Sequence, residues 1–285
     1  MAMSSAAPAQ SKFRRLALGM VAVAALATAG CGSFGGGTSA VDSRLAAMSA
    51  EELYNGGVAA LAAGDFASAA AMFEAVDRQY PYSAAAREAL ILAAQANYSR
   101  SNFGDAIADA QRYITLFPAA DRVDYALYVI ADSNFQQRPD ITRDQEPTER
   151  ALRAFTDLVQ RYPNSQYADE AASRIELARD QLAGKEMDTG RYYLQQRNFI
   201  GAINRFRVVV TDYQTTRHVE EALLRLTEAY LSLGVVSEAQ AAAAVLGYNF
   251  PDSPWYHDAY ELLQRQGLSP QSNAGSWISQ LFGLG

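Results

Sequence analysis

Residues 66–81 read FASAAAMFEAVDRQYP, and this stretch decides the fold. Phe66, Ala69 and Phe73 stand at i, i+3 and i+7, so they share one face of a helix. Tyr80 and Pro81 close it, because proline cannot continue a helix. The same series starts again at Phe103, Thr148, Phe199 and Val236. Three residues after each start lies an alanine: Ala69, Ala106, Ala151, Ala202 and Ala239. Four further on come Phe73, Ala110, Phe155, Phe206 and Ala243, and each run ends at an aromatic: Tyr80, Phe117, Tyr162, Tyr213 and Phe250. Pro81, Pro118, Pro163 and Pro251 follow four of those five.

Upstream of each run lies a partner rich in helix formers: Ala50 to Ala63, Ala84 to Tyr98, Val123 to Phe135, Tyr167 to Gln195 and Val219 to Leu233. Gly64 and Gly234 stand where the first helix of a pair ends in a left-handed conformation. The unit is a helical hairpin that buries its face only against its neighbours. The expected fold class is therefore all-α, an α-solenoid of five hairpins. The aromatic, alanine, aromatic and proline positions resemble the tetratricopeptide repeat, whose period is about 34 residues. Closing aromatics at 80, 117, 162, 213 and 250 are instead 37, 45, 51 and 37 residues apart. The 45-residue interval contains Arg138 to Pro147, which reads as an excursion between helices. For the 51-residue interval the sequence predicts a helix from Tyr167 to Leu182, a break at Gly184 and a second helix from Met187.

The amino terminus carries an address. Lys12, Arg14 and Arg15 precede the apolar run Leu16 to Ala29, and Gly30 then meets Cys31, the single cysteine of the chain. A run of this length suits a secretory leader, since a membrane-spanning helix needs about 20 apolar residues. The pattern resembles a bacterial lipoprotein signal, with Thr28 where an aliphatic residue usually stands. That resemblance implies cleavage before Cys31, modification of Cys31 with diacylglyceryl and acyl chains, and, from Gly32, export to the outer membrane. Several acyl chains on one residue make a durable anchor. The other reading of Cys31 is a free thiol after an uncleaved or ordinary secretory segment. The expected division is a signal peptide over 1–30, an anchor and flexible tether over 31–47, the repeat domain over 48–268 and a tail over 269–285.

Residues 1–30 hold one lysine, two arginines and no acid, so the remainder has 21 basic and 31 acidic residues, a balance of minus 10. Such a chain is poorly suited to nucleic acid, whose binding rests on neutralised phosphates. Once Cys31 is assigned to lipid, His218 and His257 are too few for a metal site. Gly56 and Gly57 lack the lysine and hydroxyl residue of a phosphate loop. Glu51 with Glu52 and Glu220 with Glu221 read as solvated helix faces. The expectation is no catalytic residue, no metal and no cofactor. Tyr98, Tyr113, Tyr125 and Tyr128 are candidates for a peptide groove, with Tyr192 and Tyr193 beside them, because tyrosine offers apolar area with a polar tip.

The leader, the repeats and their two lengthened intervals together resemble the BamD family, the lipoprotein subunits of the bacterial outer-membrane β-barrel assembly machinery. The blocks that carry it are Tyr80, Pro81 and Ser83; Arg161 to Ser165 with Tyr167; and Tyr192 to Leu194 followed by Gly201 to Arg205. The resemblance covers about residues 48–265. It implies a periplasmic scaffold that helps assemble and insert β-barrel proteins into the outer membrane. The partners it implies are the barrel subunit BamA, possibly other Bam lipoproteins, and unfolded outer-membrane clients. By the same resemblance Arg205 is the partner-binding residue. A repeat lipoprotein that scaffolds cell-wall synthesis or division proteins is the alternative.

Overall fold

Residues 43–284 are described by a computed structural model, in which every regular element is a helix. The leader, Cys31 and most of the tether lie outside the described residues. Ser49 opens α1 (Ala50–Ala62) with a capping box: its hydroxyl accepts the Glu52 N–H, and the Glu52 carboxylate accepts the Ser49 N–H at 2.8 Å. The chain leaves α1 through Gly64 at φ +77°, which costs glycine little. Asp65 then caps α2 (Phe66–Gln79), its Oδ1 accepting from the Ser68 N–H at 3.1 Å. Phe73 reaches back onto Gly57, where an added Cβ would lie 2.6 Å from the ring. The missing side chain lets the two helices close over the phenyl group.

The pattern continues through α3 (Ala86–Ser99), α4 (Phe103–Leu116), α5 (Val123–Gln136), α6 (Glu146–Arg161), α7 (Ala168–Gln195), α8 (Phe199–Asp212), α9 (Val219–Ser232) and α10 (Val236–Asn249). Each packs on its sequence neighbours, and the connections, short except for the longer link between α5 and α6, pair successive helices as hairpins. The alanines and the Phe or Ala positions picked out by the sequence are all fully buried. Gly190 lies under Phe206 as Gly57 lies under Phe73, again 16 residues ahead, with an added Cβ 2.5 Å from the ring. Ser101 and Arg197 occupy the turn position of Gly64 and Gly234 at φ +60° and +58°, a conformation that strains a residue with a side chain.

Three expectations need revision. Gly184 does not break the chain: α7 runs unbroken for 28 residues, about 42 Å. The His218 ring lies against Gly184, 3.4 Å from where a Cβ would stand, so the glycine is a packing site. Its helix propensity cost of about 1 kcal/mol is spread over a helix buried on both halves. Second, Pro147 belongs to the first turn of α6, leaving residues 137–145 as the excursion. That loop is tied to α7 by Gln181 Nε2 donating to the Pro139 carbonyl at 2.8 Å and Lys185 Nζ to that of Thr142 at 2.9 Å. Third, residues beyond 268 fold back. After α11 (Pro254–Gln264), a short helix α12 (Trp277–Leu281) packs on α10 and buries Ile278. Trp277 Nε1 donates to the Tyr230 hydroxyl at 3.0 Å, and the Arg207 guanidinium lies 4.6 Å from the indole centroid.

The joint between the first two hairpins is polar. Fully buried Asn97 on α3 donates through Nδ2 to Glu74 on α2 at 3.1 Å and to Asp109 on α4 at 2.8 Å, and Arg100 donates to its Oδ1 at 2.9 Å. Burial pushes the Asp109 carboxyl up to about 6; the Asn97 hydrogen bond opposes this, while Glu74, Asp105 and Asp77 add to it. The folded chain therefore holds this proton more tightly than the unfolded chain. Its contribution to stability is lost as pH rises from about 4 through 6. Asp109→Asn removes the titration, so its stability relative to the parent chain should grow between pH 4 and 7 in urea melts. Parallel pH profiles for the two proteins would contradict this.

Candidate functional site

The first helices of successive hairpins carry a strip of tyrosines and charges. On α5, Tyr125, Tyr128 and Asp132 stand at i, i+3 and i+7, so they share a face. Tyr167 precedes α7 and stacks on Tyr128 with centroids 4.8 Å apart, while its ring lies 5.4 Å from Tyr125. Tyr128 also meets Phe155 edge-on at 6.5 Å. Burial raises the Tyr128 phenol well above its usual range and pushes Tyr125 up to about 12. These phenols stay protonated and able to donate a hydrogen bond.

Asp132 organises the strip. It is buried, with Oδ2 accepting from the Tyr98 hydroxyl on α3 at 2.6 Å and from Gln136 Nε2 at 3.0 Å. Its Oδ1 has no hydrogen bond but lies 3.7 Å from Nε of Arg174 on α7. Arg174 in turn pairs with Glu170 at 3.2 Å and lies over the Phe135 ring at 4.9 Å. Burial, and then the Asp132 hydrogen bond and charge, drive the Tyr98 phenol far upward. One carboxylate thus ties α3, α5 and α7 together. Its removal leaves the Tyr98 hydroxyl without its acceptor, whereas Arg174 keeps Glu170.

Tyr98, Tyr125 and Tyr128 come together on this strip, half-buried. Tyr113 does not join them: it is 2% exposed, packed 5.7 Å from Phe117, and presents no face to a ligand. Its place on the alanine face, seven residues after Ala106, was already visible in the sequence. Tyr192 is exposed near the end of α7, with the Tyr193 ring 5.8 Å away. Sequence reasoning missed Asp132, Tyr167 and Arg174. A single acid after the apolar run Val129 to Ala131 was the available signal.

Arg205 lies apart from the strip, on α8. Its side chain is 43% exposed and its NH1 lies 3.2 Å from Glu186 Oε2 on α7. Farther along the molecule, Arg191 pairs with Glu221 at 3.0 Å, and Arg225 pairs with Glu221 and Glu228. His218 faces Asp180 at 3.6 Å, yet burial lowers its pKa against that charge. Among the described residues no group of His, Cys, Asp and Glu could hold a metal ion, and no helix is long and apolar enough to cross a membrane.

A model of the YfiO family, described as outer membrane lipoproteins, matches residues 46–246. The chain is 46% identical over 220 residues to the outer membrane protein assembly factor BamD of Caulobacter vibrioides, covering 77% of this chain and 72% of that one. It is 38% identical to the protein of that name from Rickettsia prowazekii, covering 74% and 84%, and 34% identical to that of Neisseria meningitidis, covering 75% and 84%.

Asp132→Ala should lower unfolding free energy by about 1.5–3 kcal/mol, because the Tyr98 hydroxyl loses its charged acceptor. Tyr98→Phe should cost about 1.5–3 kcal/mol, the range for a hydrogen bond to a charge. Denaturant titration decides, and a loss below about 1 kcal/mol for Asp132→Ala would show that the carboxylate does not tie the helices.

Proposed function

The chain belongs to the BamD family of outer membrane lipoproteins, and on that basis we propose that it works as a periplasmic adaptor anchored through Cys31. It is a non-catalytic scaffold that assists assembly of β-barrel proteins in the outer membrane. The observation that carries this is the 46% identity over 220 residues to an assembly factor, with the family model matching residues 46–246. In the proposed arrangement five hairpins, α1–α2 through α9–α10, form the scaffold, closed by α11 and α12.

The proposed division of labour rests on the family resemblance for Arg205 and on side-chain chemistry for the tyrosines. Arg205 is the docking residue for the periplasmic domains of the barrel subunit BamA; half-exposed, it can offer its fork of donors to a carboxylate. The strip of Tyr98, Tyr125 and Tyr128 is the candidate surface for unfolded clients, since aromatic rings with polar tips suit extended peptides. Other Bam lipoproteins are further partners.

Tagged chain purified from detergent-solubilised outer membranes should bring BamA with it, and Cys31→Ala should lose stable membrane attachment. Recovery of the chain without BamA across several gentle detergents, or with peptidoglycan synthases in its place, would overturn the assignment. Undiminished attachment of Cys31→Ala would overturn the anchor.

A further inference from the structure

Glu186 and Arg205 meet because of the core beneath them. Glu186 stands one turn before Gly190 on α7, and Gly190 receives the ring of Phe206, the neighbour of Arg205 on α8. The packing that seats the phenyl group therefore brings the acid beside the guanidinium, at 3.2 Å. The two partners are unequally held: the Glu186 side chain is 21% exposed and that of Arg205 43%. Among the described residues, no other ion pair reaches either side chain.

We infer that Glu186 restrains Arg205, so that the carboxylate of a docking partner competes with Glu186 for it. The inference rests on the reading of Arg205 as the docking residue. A guanidinium carries five donors in a planar fork, and the contact with Glu186 engages one of its nitrogens. The contact with Glu186 fixes the orientation of the guanidinium, so a partner acid must accept that orientation or turn the arginine against its present acceptor. Glu186 also repels an incoming carboxylate. Its negative charge therefore acts twice against docking, by holding the arginine and by opposing the acid that would capture it.

Solvent-exposed ion pairs are weak, so the restraint is a matter of several-fold in affinity. That makes Glu186 a threshold for docking. Glu186→Gln keeps the size of the side chain and an amide oxygen for Arg205, but removes the charge. Glu186→Asp keeps the charge and is the conservative control.

The test measures affinity and association rate of the full mature chain, in detergent, for the periplasmic region of BamA from the same bacterium. The forms compared are the parent, E186Q, E186D, R205A and the E186Q/R205A double variant, with D157N as a control on an exposed pair of α6. E186Q should bind about three- to ten-fold tighter, mainly through faster association, while R205A binds weaker and the double variant resembles R205A. E186D and D157N should stay near the parent, and thermal melts of all forms should agree within a few degrees. Unchanged or weaker binding by E186Q, with R205A still weakened, overturns the restraint and leaves the docking role of Arg205 standing. Unchanged binding by R205A overturns the docking role and the restraint with it. A gain in E186Q that persists in the double variant also overturns the restraint, because it would bypass Arg205.

Discussion

A small residue on one helix beneath a bulky side chain on the next sets the spacing of the whole molecule. Gly57 under Phe73 and Gly190 under Phe206 leave no room for even a methyl group, and the buried alanines at 69, 106, 151, 202 and 239 hold neighbouring helices close. Close-packed interiors respond to single methylenes, so these positions fix the register of each hairpin. The phenyl rings bury the large apolar area that holds it, at about 1.5–3 kcal/mol each. Everything polar that follows, including the Asp132 ties and the Glu186–Arg205 contact, is placed by that register.

α7 shows how the repeats are joined. Ala168, Ala171 and Ala178 belong to one apolar cluster, and Ala183 and Met187 to the next, so a single 28-residue helix serves two cores. Where those sets meet, α7 turns a polar stretch toward the loop and toward α9: Gln181 holds Pro139, Asp180 meets His218, and Gly184 makes space for the histidine ring. An unbroken helix of this kind transmits geometry between hairpins more directly than two helices joined by a turn would.

The hairpins were legible because their code is local. Phe, Ala and a terminal aromatic recur at fixed helical offsets, and Gly64 and Gly234 mark turns that the backbone then enters at positive φ. Gly184 was misread because glycine in isolation signals an end, whereas here a side chain from another helix decides its role. The region after Leu268 departs from the repeat pattern and so reads as a tail; two anchors, Trp277 and Ile278, hold it back on the repeats. In the candidate site, the tyrosines were visible as residue types, but Asp132, which bonds Tyr98, and Arg174, which faces Asp132, come from two different hairpins. The Glu186–Arg205 pair was hidden for the same reason, although Glu186 shares a stripe with Gly190.

The proposed docking of this scaffold on the barrel subunit uses the face of α8 that carries Arg205. Asn204 is exposed beside it and supplies a position for a photo-crosslinking amino acid in living cells. Irradiation should join position 204 to BamA, in a product lost when BamA is depleted. Crosslinks at that position to cell-wall enzymes, with none to BamA, would contradict that docking.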